Sequence, residues 1–139
     1  APLRRALESG LPCLGICLGM QLLFQGSEES AGDGIGLVPG SVRRLRTSIV
    51  PQLVWNVVDT SQDPLFDGAE PLVAYYANSY VCEPLDPQHA IAWSEYEGTR
   101  YVAGVRIART WGVQFHPEKS SDRGRRLVAN WVSLAGVKS

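Results

Sequence analysis

The pentapeptide GICLG at residues 15–19 constrains this chain more than any other feature of its sequence. It joins a short apolar run, residues 11–16, to a segment whose pattern predicts a helix. A cysteine between two glycines at a strand-to-helix turn is the nucleophile-elbow pattern, with a thiol in place of a hydroxyl. The sharp turn needs small residues two positions before and after Cys17, and the start of the following helix favours the thiolate. We therefore predict a reactive Cys17, with the backbone N–H of Leu18 donating a hydrogen bond to an oxyanion.

The simpler interpretation of this motif is a buried structural cysteine with two incidental glycines, because short motifs recur by chance. The strand before Cys17 and the helix after it favour the elbow. Cys13 lies inside the apolar run and predicts a buried, inert thiol, and we also interpret Cys82 as structural. The Cys13–Cys17 spacing has no second ligand pair at zinc-like spacing, so we expect no metal site.

The order of apolar patterns predicts an α/β sheet with flanking helices. A helix is expected over residues 2–9, a strand buried on both faces over 11–16, and a helix over 18–25 ended by Gly26. A last helix is capped by Ser120 or Ser121 and ended by Gly136. Between them, strands are expected at residues 41–45, 53–58, 73–76, 90–96, 101–107 and 109–115.

Length, charge and cysteine count limit the class of protein. The 139 residues suit one domain, spanning residues 1–139, and 13 Lys and Arg against 14 Asp and Glu give a net charge of −1. That balance argues against binding to nucleic acid or to an anionic membrane by bulk charge. No stretch approaches the roughly 18 apolar residues that span a bilayer. Three cysteines do not form a disulfide framework, which favours a reducing compartment such as the cytoplasm.

A base for Cys17 is expected at His116, because the chain has only two histidines and the other, His89, lies in a turn-like segment that predicts a solvated loop. A lone histidine is more often structural than catalytic. However, Glu118 follows two residues later, and in an extended segment the two side chains share one face. The carboxylate would then orient the imidazole.

Two blocks of sequence resemble class I glutamine amidotransferases. GICLGMQLLF at residues 15–24, followed by SEE at 27–29, resembles their nucleophile segment, and WGVQFHPEKS at 111–120 resembles their histidine–glutamate segment. Within that superfamily, further blocks are similar to the glutaminase subunits of imidazole glycerol phosphate synthases. They are Met20, GLVPG at 36–40, Trp55-Asn56, PLF at 64–66 and NSY at 78–80.

The resemblance implies a flavodoxin-like sheet and glutamine hydrolysis through a γ-glutamyl thioester on Cys17. His116 would carry the proton to departing ammonia and then activate water, while Glu118 orients it. Other positions would hold glutamine in the site. They are Gln21 and Glu29, together with backbone near Ser79 and Tyr80. No cofactor is implied.

The resemblance also implies a heterodimer with a (βα)8-barrel cyclase subunit. Ammonia would pass through a tunnel to that subunit, which forms imidazole glycerol phosphate and AICAR in histidine biosynthesis. Trp55 and Lys119 match family positions near that interface, although alone they predict a core residue and a surface charge.

Departures from the family pattern leave alternatives open. The family's usual upstream strands and oxyanion loop do not precede Ala1, so we expect a fragment lacking roughly a third of the usual domain, including the second oxyanion donor. Val54 stands where glycine is common, and Asn78 where histidine is common. The alternatives are a glutaminase of another synthase, a cysteine hydrolase such as a γ-glutamyl peptidase, and an inactive partner-binding fragment.

Overall fold

Helices pack on both faces of one mixed sheet in the computed structural model, which describes residues 2–28 and 33–136. The helices are α1 (Pro2–Glu8), α2 (Leu18–Gln21) and α3 (Ser121–Leu134). The strands are β1 (Cys13–Ile16), β2 (Phe24–Ser27), β3 (Val38–Arg44), β4 (Gln52–Thr60), β5 (Leu72–Asn78), β6 (Tyr80–Pro84), β7 (Ala90–Tyr96), β8 (Thr99–Ile107) and β9 (Thr110–Val113). The predicted α/β sheet with flanking helices is confirmed.

The sheet runs in the order β2-β3-β6-β8-β7-β4-β5, and β9 joins β8 to β1. Among the described residues, only the β1–β9 and β2–β3 pairs are parallel. The long strand β8 pairs with β7 along one edge and with β6 and β9 along the other. Strand β4 meets β7 only at Asp59 and Thr60, so most of its length pairs with β5 as a two-stranded ribbon.

Two apolar clusters cover opposite faces of the sheet. On one face α1 and α2 pack Leu7 and Met20 over the strands, and on the other α3 packs Leu127. Strand β9 separates the clusters because alternate residues point to opposite faces. Trp111 belongs to the α3 side, whereas a Cβ on Gly112 would lie 2.9 Å from the Met20 side chain on the α2 side.

Helix α2 is much shorter than the predicted helix over residues 18–25, and that prediction is wrong. The chain leaves the helix after one turn because Phe24 is fully buried and begins β2, which pairs with β3. Gly26 therefore lies within a strand instead of ending a helix. Tertiary burial overrides the local pattern here. Strand β6 was also missed, whereas the strand expected at residues 90–96 has the predicted limits.

Candidate active site

Cys17 occupies a strained turn between β1 and α2. Its backbone φ is 55° and its ψ is −108°, in a region that side-chain-bearing residues rarely adopt and that marks nucleophile elbows. A Cβ on Gly15 would lie 2.7 Å from the Gly19 carbonyl oxygen, so a larger residue cannot replace it without moving backbone. A Cβ on Gly19 would meet nothing within 4 Å. The steric requirement that we predicted for both glycines therefore falls on Gly15.

Parallel pairing of β1 with β9 sets the surroundings of the Cys17 thiol. Ile16 pairs with Val113, and the Cys17 N–H donates to the Val113 carbonyl at 2.8 Å. The sulfur then lies 3.7 Å from Nε2 of Gln114 and 3.9 Å from the Ala77 carbonyl oxygen. Each strand ends at the same edge of the sheet, which is where loops present reactive groups in α/β folds.

His116 and Glu118 lie in contact, as predicted, but not for the predicted reason. His116 Nδ1 is 3.2 Å from Glu118 Oε2. The segment is not an extended strand, because Pro117–Lys119 forms a turn of 3₁₀ helix that begins after His116. Proline at the first position of that turn is preorganised for it. The contact holds Nδ1 against the Glu118 carboxylate, so Nε2 is the ring nitrogen that has no contact with Glu118.

Strand β5 brings the cysteine and the histidine to one place. The His116 N–H donates to the Tyr75 carbonyl at 2.9 Å, and the Cys17 sulfur lies beside the Ala77 carbonyl. Carbonyls of residues i and i+2 in a strand point to the same side and lie about 7 Å apart. The two residues therefore lie along one edge of β5.

Ser120 locks the histidine turn to β5, and the sequence did not indicate this role. Its hydroxyl donates to the His116 carbonyl at 2.6 Å and accepts from the Tyr75 N–H at 3.0 Å. The residue is 1% exposed. Ser120 precedes α3, as expected of a cap, but its side chain makes no capping hydrogen bond.

A cavity of about 290 Å³ opens beside Cys17 and contains most of the predicted glutamine-binding residues. Leu18 and Gln21 line it from α2, and Pro51 and residues 77–80 line it from the opposite side. Gln21 Nε2 donates to the Tyr80 carbonyl at 3.4 Å. Glu29 lies outside the described residues. The size is at the lower end of small-molecule pockets.

A buried polar network supports the Tyr80 side of this cavity, and sequence patterns offered no signal for it. Gln52 and Asn78 are 0% and 5% exposed. Gln52 Nε2 donates to Asn78 Oδ1 at 3.1 Å and to the Tyr101 hydroxyl at 2.9 Å, and Asn78 Nδ2 donates to the Tyr80 carbonyl at 3.1 Å. Buried amides with satisfied partners fix local geometry. The network therefore holds residues 78–80 in place.

Trp55 is exposed, so the core position that its local pattern predicts is wrong. It projects from β4 with 53% of its surface accessible, and its ring meets Tyr75 edge-on at 6.0 Å. The Tyr75 ring in turn lies 6.4 Å from the His116 ring. An open cavity of about 530 Å³ lies beside Trp55, away from Cys17. Exposed apolar residues share the outer face of the ribbon. They are Leu53, Trp55, Val57 and Val73.

The other two cysteines, Cys13 and Cys82, and the other histidine, His89, do not line the cavity beside Cys17. Burial raises the pKa of the Cys13 thiol, and burial together with the nearby Cys17 raises the pKa of Cys82 far more. Both thiols therefore stay protonated at neutral pH, which suits structural roles, although Cys13 is only half-buried where a buried thiol was predicted. His89 ends a short 3₁₀ turn, in agreement with the turn-like segment predicted there, but it is half-buried and not a solvated loop residue.

The described parts of the chain, residues 2–28 and 33–136, contain no helix long and apolar enough to cross a membrane. Within those same ranges no group of three or more histidine, cysteine or acidic side chains is arranged to hold a metal ion.

The fold and the strained cysteine define a class of protein. Residues 1–134 match the family model described as glutamine amidotransferase class-I, and the chain belongs to that family. Among curated proteins it is similar to subunits HisH of imidazole glycerol phosphate synthase. Identity is 40% with the Synechococcus elongatus protein, over 95% of this chain and 64% of that one. It is 48% with a Thermus thermophilus protein, over 91% and 62%. The chain thus spans less than two thirds of the length of these relatives.

Solved structures show the same fold at lower sequence identity. A crystal structure of a glutamine amidotransferase superposes with a TM-score of 0.73 at 20% identity, covering 97% of this chain and 67% of the other. A putative GMP synthase subunit from Thermoplasma acidophilum gives 0.69 at 19% identity, covering 96% and 62%.

Proposed function

We propose that this chain is the glutaminase part of an imidazole glycerol phosphate synthase. The observation that supports it is the meeting, at strand β5, of a strained Cys17, the His116–Glu118 pair and a cavity of about 290 Å³, in a chain similar to HisH subunits. In this proposal residues 1–139 belong to a single glutamine amidotransferase domain.

In the proposed reaction, the Cys17 thiolate attacks the side-chain amide carbon of glutamine. The C–S bond forms as the carbonyl oxygen takes up negative charge, and the Leu18 N–H donates to it. His116, protonated on Nε2, gives that proton to the departing nitrogen. Ammonia is released, and a γ-glutamyl thioester remains on Cys17. His116 then takes a proton from water, whose oxygen replaces sulfur, and glutamate leaves.

Substrate binding follows from the cavity beside Cys17. Gln21 and Glu29 would hold the main-chain groups of glutamine, with the carboxylate of Glu29 facing the ammonium group. The backbone of Ser79 and Tyr80 would complete the site, supported from below by the buried amide of Asn78. Glutamate and ammonia are the products, and the reaction requires no cofactor.

The partner subunit that we propose is a (βα)8-barrel cyclase. Both subunits would function in the cytoplasm. The exposed apolar face of the β4–β5 ribbon supports it, because monomeric proteins rarely expose several large apolar side chains side by side. Trp55 lies in that face, and the exposed Lys119 is the last residue of the 3₁₀ turn after His116. Ammonia would pass from the site to the cyclase through this side of the molecule.

The test uses the complete polypeptide that contains these residues, with its cyclase subunit. Cys17→Ala should abolish ammonia release from glutamine and leave the cyclase able to use free ammonia. Labelling with 6-diazo-5-oxo-norleucine should modify Cys17 and spare Cys13 and Cys82, whose thiols are held protonated. Cys82→Ala is the matched control and should keep glutamine turnover. Turnover by Cys17→Ala, or equal labelling of all three cysteines, would contradict the mechanism.

A further inference from the structure

Gln114 lies completely buried between the Cys17 sulfur and the Gln21 side chain. It precedes His116 by two residues and takes no part in the mechanism above. We propose that its side-chain amide is a positioning group that holds the reacting sulfur and donates an N–H to the thiolate. This inference rests on the proposed function, because it concerns the same nucleophile.

The direction of the Gln114 amide follows from a chain of hydrogen bonds. The Tyr80 carbonyl can only accept, so the group that Gln21 presents to it at 3.4 Å is the NH₂ end. That same nitrogen lies 3.5 Å from one end of the Gln114 amide, which must therefore be the oxygen. The other end of Gln114, its NH₂, faces the Cys17 sulfur at 3.7 Å. The Tyr80 carbonyl thus determines the orientation of the Gln114 amide, through Gln21, independently of the Cys17 sulfur.

The sulfur lies between groups with opposite preferences. The Ala77 carbonyl, 3.9 Å away, accepts a hydrogen bond and so favours the protonated thiol. The Gln114 N–H favours the thiolate, because a hydrogen bond donated to a charged form stabilises that form. Helix α2 is a single turn, so its dipole contributes less than the longer helix predicted from the sequence would. The Gln114 donor compensates for this short helix.

A matched residue separates this role from general packing. Gln52 is also a fully buried glutamine with a bonded amide, but its partners are Asn56, Asn78 and Tyr101. Replacing either glutamine by methionine keeps the length of the side chain and removes its hydrogen bonds. Only Gln114→Met removes a donor from the sulfur.

The experiment measures the rate of Cys17 alkylation by iodoacetamide from pH 5 to 10 in the complete polypeptide, with the modified peptides identified by mass spectrometry. Gln114→Met should raise the midpoint pH of Cys17 alkylation by about one unit and slow alkylation about tenfold at pH 7. Gln52→Met should raise the midpoint clearly less than Gln114→Met does, because Gln52 reaches the sulfur only through Asn78 and the Tyr80 carbonyl. Gln114→Glu, which keeps the shape and loses the donor, should raise it at least as far as methionine does.

Two results would overturn the inference: an unchanged midpoint in a folded Gln114 variant, or an equal rise in Gln52→Met. Gln21→Leu serves if neither Gln114 variant folds, since Gln21 is only half-buried and its loss frees the Gln114 amide to turn. In Gln21→Leu, a rise of the midpoint pH that is smaller than the one expected for Gln114→Met supports the inference, and an unchanged midpoint overturns it. Alkylation needs no glutamine, so this outcome is independent of whether Cys17→Ala loses turnover.

Discussion

Gly124 is the point where helix α3 crosses the turn that carries His116. A Cβ built on it would lie 2.2 Å from the Pro117 carbonyl oxygen and 2.6 Å from the Ser120 Cβ, whereas ordinary contacts begin near 3.4 Å. The Pro117 oxygen belongs to the backbone and cannot rotate away. Gly124→Ala therefore requires the helix and the turn to separate by roughly 1 Å, because protein interiors are close-packed.

Two opposing terms set the size of the effect. Alanine is favoured over glycine inside a helix by about 0.8–1.0 kcal/mol. Overpacking a well-filled contact costs about 1–3 kcal/mol, and displacement of a backbone oxygen belongs at the upper end. We expect a net loss of about 1–2 kcal/mol in the free energy of unfolding, with Tm lowered by about 5 °C. Displacement of His116 by such a distance should reduce glutamine turnover about 100-fold.

Urea unfolding at neutral pH measures the stability, and ammonia release from glutamine measures the turnover. Ser133→Ala is the control, because Ser133 lies exposed on the same helix and its replacement should raise stability by a few tenths of a kcal/mol, roughly the difference in helix propensity. A Gly124→Ala protein that is as stable as the parent and turns over glutamine at the parent rate would refute the reasoning.

Two further changes follow from contacts already described. Ser120→Ala leaves the Tyr75 N–H and the His116 carbonyl without their shared partner, so urea unfolding should show a loss of about 1–3 kcal/mol, with turnover also reduced; wild-type stability would contradict this role. The pKa of Cys82 is raised by burial above the ordinary thiol value near 9, so the folded state retains a proton that the unfolded state releases. The free energy of unfolding should therefore fall as pH rises above about 9. In urea titrations this fall should be less steep in Cys82→Ala, with a difference in slope of up to about 1.4 kcal/mol per pH unit. Equal slopes in the two proteins would refute this expectation.

Sequence reasoning succeeded where the constraint is local. The turn at Cys17 depends on Gly15, two positions earlier, because the missing Cβ of Gly15 makes room for the Gly19 carbonyl. Strand β7 was predicted with its limits, and the strands expected at residues 41–45, 53–58, 73–76, 101–107 and 109–115 are present with ends shifted by up to three residues. The pairing of His116 with Glu118 was also predicted, although a 3₁₀ turn produces the contact that an extended segment was expected to give.

The failures arise where distant parts of the chain decide the outcome. The segment after Gln21 has a helical pattern, but burial of Phe24 beside β3 draws it into a strand. The role of Ser120 depends on Tyr75, 45 residues earlier, and that of Gln114 on Cys17, 97 residues earlier. No spacing within a motif contains such information, so a polar residue beside a motif shows its function only once the sheet has formed.

The parallel pairing of β1 with β9 has a consequence for the order in which the molecule comes into being. The thiol leaves the ribosome well before the strand that must lie beside it, and the histidine turn follows later still. Contacts across so much intervening chain also form slowly. During synthesis, the Cys17 thiol therefore remains without the neighbours that favour its reactive form while strands β2 to β8 are made, and it acquires those neighbours together.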